Sequence, residues 1–143
     1  MSVVRLPQVH NTAKQGLISG LIAIAKEKGV SAYIDAGLNR WAAGHVLDVA
    51  LLYRLAVEQG VAGRRYHAVG EEGVSLKDIA MAIGGRLKLP VVSISKEEAA
   101  THFGWLAMPA AIDMPASSAL TQEWLGWHPN HDGLIADLDN GSY

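Results

Sequence analysis

His45 and Asp48 stand three residues apart at the start of an apolar helical stretch, and His128, His131 and Asp132 crowd into five residues near the end of the chain. Imidazoles and carboxylates so placed can ligate a metal, move a proton or hold backbone donors. Residues 128–132 form a Pro-Asn turn without regular ligand spacing, so a solvated loop is the simpler reading and no metal is expected. Ser93-Ile94-Ser95-Lys96 matches the Ser-x-x-Lys string of one class of hydrolases. That chemistry needs the serine at a helix start, whereas Ser93 reads as strand. Gly16-Leu17-Ile18-Ser19-Gly20 has its serine one position late for a nucleophile elbow. Ser93, Ser117 or Ser118 with His45 or His102 leave a hydrolase of unrelated mechanism open, although no spacing selects it.

The elements that must position these groups alternate along the chain. Residues 3–6 have the apolar signature of a buried strand that ends in a proline turn at Pro7, without a preceding Gly-rich loop, cap or leader. Thr12 and Gln15 have capping-box spacing, and Leu17, Ile18, Leu21, Ile22 and Ala25 repeat at helical spacing, which predicts a helix over 12–28 stopped by Gly29. Residues 31–35 and 40–43 flank a short turn and suggest a hairpin. Val46–Gln59 is the clearest helix, with Leu47, Leu51, Leu52, Leu55 and Ala56 on one broad face, Asp48 in the first turn and Gly60 at the end. Residues 65–69 read as a strand, 70–73 as a turn, and Ser75 as the cap of a helix whose last turns Gly84-Gly85 weaken. Val91–Ile94 is a further strand, Ser95 to Glu98 a second capping box, and short helices follow Ser118 and cover 132–139. Trp105, Trp124 and Trp127 are expected to pack in core and cleft.

Composition narrows the class. The 143 residues are 50% hydrophobic and 18% charged, enough apolar surface for the core of one unit spanning 1–143. A net charge of −2, from 12 basic and 14 acidic residues with Arg64-Arg65 the sole adjacent basic pair, gives no footprint for nucleic acid. Cysteine is absent, which removes disulfides and thiolate metal sites. No apolar run approaches the ~20 residues of a membrane span, and no signal peptide is visible, so a cytoplasmic protein with no membrane association is expected.

The order of these segments carries a resemblance. Val3-Val4-Arg5-Leu6-Pro7 and a helix precede Asn39-Arg40-Trp41 and His45-Val46-Leu47-Asp48-Val49-Ala50. Tyr66-His67-Ala68-Val69, the turn to Ser75, the helix with Ile79-Ala80, and Leu125-Gly126-Trp127-His128-Pro129 follow. Across nearly the whole chain this resembles the carboxyl-terminal half of extended short-chain dehydrogenases of the NAD-dependent epimerase/dehydratase family. The resemblance implies an α/β fold: a helix-rich, partial Rossmann-like unit with few short, mainly parallel strands, the substrate-side half of such an enzyme. It also implies that residues 3–6 and 66–69 belong to a parallel sheet.

The family's chemistry is hydride transfer with NAD or NADP, commonly on a sugar nucleotide, and it uses a Gly-rich phosphate loop and a Tyr-x-x-x-Lys pair in which Lys lowers the Tyr pKa. Neither occurs in this sequence: no Lys stands four residues after Tyr33, Tyr53 or Tyr66, and Tyr143 ends the chain. No cofactor is therefore expected for the chain alone, and no catalytic residue is assigned. The resemblance places Pro7 and Val9 beside the nicotinamide, and His10 at the substrate cleft. Arg40 resembles the arginine that meets a substrate phosphate, a role its guanidinium fork suits. His45 and Asp48 resemble a structural pair at a helix start, Asp48 capping backbone donors and His45 bonding a loop carbonyl.

Three readings follow. The chain is a truncated or split member of that family without autonomous redox activity, or a binding module for a small molecule or partner, or the hydrolase above. On the first, exposed sheet edges predict a homodimer, a higher homo-oligomer, or a companion chain that supplies the missing half.

Overall fold

The computed structural model describes residues 3–13 and 16–141. The expected capping box is outside this range at Gln15, and the first helix begins at Leu17. Seven strands and seven helices are described: β1 Val3–Arg5, β2 Gln8–His10, α1 Leu17–Lys28, β3 Ser31–Ile34, β4 Arg40–His45, α2 Val46–Gln59, β5 Arg65–His67, β6 Glu71–Ser75, α3 Leu76–Leu87, β7 Val91–Ile94, α4 Lys96–Phe103, α5 Ala107–Ala111, α6 Ala119–Leu125 and α7 Leu134–Asp139. A 3₁₀ turn, Gly104–Leu106, joins α4 to α5.

The strands form three small sheets. β1 pairs with β5 in parallel, with Val3 opposite Arg65 and Arg5 opposite His67. β4 is the centre of the second sheet, parallel to β2 and antiparallel to β6. β3 pairs with β7 in parallel. The hairpin suggested for 31–35 and 40–43 does not form. Asp35 and Gly37 both take positive φ between these segments, and the two strands enter different sheets. The turn read at 70–73 is instead largely strand, because β4 leaves an open edge that β6 fills.

The first and second sheets share a fork. Pro7 has no backbone donor, and after it the chain leaves β5 and takes β4 as its partner. On the other branch, the Ala68 N–H still reaches Arg5 O, but the Gly70 N–H donates to Ala43 O. β4 therefore enters between β2 and β6 where β1 and β5 part.

Local signals explain the helices. Gly29 closes α1 in the left-handed conformation, its N–H on Ala25 O. Ser75 and Ser95 cap α3 and α4 by accepting from the Asp78 and Glu98 N–H groups. α3 continues through Gly84 to Leu87, and a methyl at Gly84 would meet a Val91 methyl at 2.5 Å, so the missing side chain lets β7 approach.

Two apolar clusters hold the layers. The larger joins α1, α3, β3, α7 and Phe103 around Trp41, Ile79 and Leu106. The smaller packs Val49, Leu52 and Ala56 of α2 against Tyr66, Leu125 and Trp127. This corrects the expected face of α2: Leu52 and Ala56 are buried, while Leu47 and Leu51 are exposed. Trp105, expected in core or cleft, is also exposed.

Candidate functional site

The fork opens a cavity of about 280 Å³ at the carboxyl ends of β1 and β5. Its floor is Arg5 to Gln8 on one branch and His67 and Val69 on the other; Trp41 and Ala42 of β4 and residues 114–116 close it. In open α/β sheets this end of the strands is where ligands bind. The 114–116 wall is fixed by backbone bonds: Met114 N–H donates to Arg40 O, Ala42 N–H to Met114 O, and Ala116 N–H to Glu72 O. Trp41 Nε1 donates to Pro109 O and Asn39 Nδ2 to Ala110 O, so the 109–116 segment is clamped over the cavity.

A second polar assembly lies at the opposite end of β4. His10 Nδ1 is 2.5 Å from Asp137 Oδ2, both groups almost fully buried. His45 caps α2, its Nδ1 accepting from the Leu47 N–H at 3.1 Å. That bond leaves the His45 ring proton on Nε2, which faces Asp137 Oδ2 at 3.7 Å. His131 stacks on His45 with ring centres 4.9 Å apart and sets its Nδ1 2.6 Å from Asp48 Oδ1. Asp48 also accepts from the Asn130 and His131 N–H groups. Burial pushes the Asp48 carboxyl up, yet the His131 ring bond, these two backbone bonds and the His131 charge outweigh it and hold the group below its ordinary value. Glu71 accepts from the Leu134 N–H at the start of α7. The narrow space bounded by His45, Glu71, His131 and Asp132 is about 40 Å³, water-sized rather than substrate-sized. Among the described residues no group of three or more His, Asp or Glu can hold a metal ion.

The residues singled out in the sequence fall in different places. Pro7 lines the cavity. Val9 packs on the smaller apolar cluster, and His10 is turned away from the cleft and buried on Asp137, because β2 pairs with β4 and carries its side chains into the layer beneath α7. Arg40 lies outside the cavity wall; its Nε is 3.4 Å from Asp113 Oδ1, and its N–H donates to the same oxygen. His45 and Asp48 do stand at a helix start, with the roles altered: His45 is the cap, and Asp48 holds residues 130–131. Ser93 Oγ donates to Asp35 O, Ser118 Oγ to Val69 O, and Ser117 Oγ accepts from the Ala119 N–H, geometry that lends the hydrolase reading no support.

Sequence reasoning passed over Arg5, His67 and Asp137. Strand alternation was available for the first two, since residues opposite one another in a parallel pair share a face. Asp137 meets His10 across 127 positions, and no local pattern signals such a contact.

A dinucleotide pyrophosphate needs a glycine turn between a strand and the helix after it. Among the described residues, β1 runs into β2 and β5 into β6, while β4 and β6 pass directly into α2 and α3. β7 is followed by Ser95 and an α4 whose first turn carries Glu97 and Glu98, and the approach to α1 has the single glycine Gly16. These residues do not fit a dinucleotide by themselves; Pro7 offers one wall.

Searching the known protein families gives no matching model. An uncharacterized protein of Schizosaccharomyces pombe is 50% identical over 99% of this chain and 48% of its own length. An uncharacterized protein of Saccharomyces cerevisiae is 45% identical over 95% of the chain and 46% of its own length. The chain thus spans about half the length of these curated relatives. Among solved structures, a human epimerase family protein with NADPH is similar at a TM-score of 0.71 and 18% identity, over 96% of this chain and 46% of that one. A dTDP-glucose 4,6-dehydratase of Streptomyces venezuelae with NAD is similar at 0.69 and 15%, over 96% and 41%. A heptose epimerase of Helicobacter pylori gives 0.66 and 15%, over 99% and 41%. The chain carries the Rossmann-like α/β fold of part of the NAD-dependent epimerases and dehydratases.

Proposed function

We propose that this chain is the substrate-side half of an NAD(P)-dependent epimerase/dehydratase-like protein, which binds and encloses a small-molecule substrate and does not transfer hydride alone. The cavity at the fork carries this reading: it lies at the strand ends where such folds bind ligands, between the two branches and the 114–116 segment. The ordered sequence resemblance points to the same half, and the solved enzymes, whose own names mention NAD or NADPH, are matched over less than half their length. NAD or NADP would supply the hydride chemistry in the complete protein. Pro7 would then border the nicotinamide. Arg40, next to the cavity wall and half exposed, would swing from Asp113 to a substrate phosphate. The missing half would come from a companion polypeptide, or self-association would cover the open edges. No helix among the described residues is long and apolar enough to cross a membrane, and we place the protein in the cytoplasm.

The test is reconstitution. The 143-residue chain, mixed with NAD(P)H and sugar nucleotides, should leave nicotinamide absorbance unchanged. Co-expression with a polypeptide that carries a Gly-rich loop and a Tyr-x-x-x-Lys pair should give a complex with turnover. Steady nicotinamide oxidation by the chain alone, or a complex that never forms, overturns the reading. A binding module without redox chemistry is the second reading, favoured by the small-molecule-sized cavity at the fork. Ligand-induced thermal stabilisation without turnover in any complex would select it.

A further inference from the structure

We infer that Arg5 and His67 form an oxyanion-binding pair in the fork cavity, and that its ligand joins a carboxylate or phosphate head to an apolar body. The two residues stand opposite one another in the β1–β5 register, so their side chains leave the same face of the strand pair at its carboxyl end. Both line the cavity. Among the described residues neither the guanidinium nor the imidazole has an intramolecular hydrogen-bond or ion-pair partner. Arg40, Arg54, Arg64 and Arg86 engage Asp113, Glu58, the Trp124 ring and Gly141 O, and Arg65, although also without a side-chain partner, does not line the cavity, so Arg5 is the arginine free to meet a guest there.

The surroundings select the charge of the guest. No acidic residue lines the cavity, although the whole chain is net negative. Arg5 offers a planar fork that matches a carboxylate or phosphate edge, and His67 adds a ring N–H. A cation would meet repulsion from the guanidinium, whereas an anion gains a charge-assisted hydrogen bond that a neutral group cannot match. Much of the remaining lining is apolar: Leu6, Pro7 and Val69 of the floor, and Met114 and Pro115 of the wall above it. About 280 Å³ holds a small molecule, near the lower limit of ordinary ligand pockets. The ligand would place its charged head at the strand ends and its body under the 109–116 segment.

This inference deepens the reading of the cavity as a substrate site, but its test is independent of turnover. Benzoate, phenyl phosphate and benzyl alcohol are titrated into the 143-residue chain by calorimetry at constant ionic strength set with NaCl. At least one anion should bind saturably and benzyl alcohol should not; benzoate against phenyl phosphate separates a carboxylate head from a phosphoryl head. Arg5→Gln should weaken the anion about tenfold or more, as expected for loss of a charge-assisted pair. His67→Gln should weaken it less than Arg5→Gln does. In the wild-type chain, anion binding should perturb the His67 imidazole NMR signals at fixed pH, a response that serves also if Arg5→Gln fails to fold. Equal affinity for benzoate and benzyl alcohol, no saturable anion binding, or unchanged affinity in a folded Arg5→Gln chain overturns the pair. Anion binding lost in Arg5→Gln, with no turnover in any reconstituted complex, would sink the redox reading and leave the pair standing. Turnover without anion binding would do the reverse.

Discussion

Asp137 is the residue on which the polar assembly turns. It lies on a six-residue helix with little intrinsic stability and accepts from His10 while facing His45, so α7 is held to β2 and β4 by buried polar contacts as well as by Leu134 and Leu138. Replacing Asp137 with Ala leaves a buried imidazole N–H without its acceptor, which costs about 1–3 kcal/mol. Urea unfolding should show a drop of that order; a loss below about 1 kcal/mol would mean that the pair contributes nothing beyond its packing. Asp48 makes a separate prediction. Its carboxyl is held below the ordinary value in the folded chain, so its stabilisation is fully present above the unfolded-state pKa. It is lost as pH falls through the folded pKa. Acid should therefore destabilise the wild type from about pH 5 downward more steeply than Asp48→Asn, measured as unfolding free energy against pH. Parallel curves would remove Asp48 from the account. The resemblance placed His45 and Asp48 at a helix start, which holds, but it made Asp48 the cap, whereas His45 caps α2 and Asp48 reaches residues 130–131. The sequence left His131 as a loop residue, because the carboxylate that orders it is 83 positions away.

Among the elements, β4 decides where the cavity lies. Its Gly44 has backbone so close to the fork that a methyl would sit 2.6 Å from Ala68 O. A carbonyl held in the β5–β6 branch cannot yield as a flexible side chain can. Gly44→Ala should therefore destabilise the chain by about 1–3 kcal/mol and also weaken ligand binding in the cavity, seen by thermal melts and calorimetry. A neutral effect would show that the fork relaxes. The helices were largely legible in the sequence: the Ser75 and Ser95 caps and the Gly29 stop need only neighbouring residues. Strand partners were not, since residues 31–35 and 40–43 are adjacent in sequence but pair with β7 and with β2 and β6. The inner face of α2 was misjudged for a related reason. Val49, Leu52 and Ala56 meet Trp127 from the far end of the chain, a contact that periodicity cannot rank above the Leu47–Leu51 stripe.

At the scale of the whole molecule, that leftover stripe and the β1–β5 pair leave apolar surface and strand edges uncovered. Leu47, Leu51 and Val57 are exposed on α2, with Val57 at 86%, and Val3 and Leu6 are exposed beside the cavity. β1 and β5 pair with each other, and among the described residues each has one edge without a strand. Two parallel strands do not make an independently stable sheet, and parallel sheets are ordinarily covered on both faces. Open edges and apolar patches of this kind drive association. At micromolar concentration the chain should scatter light as a dimer or larger species, and Leu47→Lys with Leu51→Lys should shift it toward the single-chain mass without loss of helical circular dichroism. Co-expression with a polypeptide that supplies neighbouring strands should replace the homo-oligomer by a one-to-one complex and protect β1 and β5 amides from hydrogen exchange. A monomer that binds no hydrophobic dye and shows slow exchange in β1 would mean that the chain already covers these edges itself.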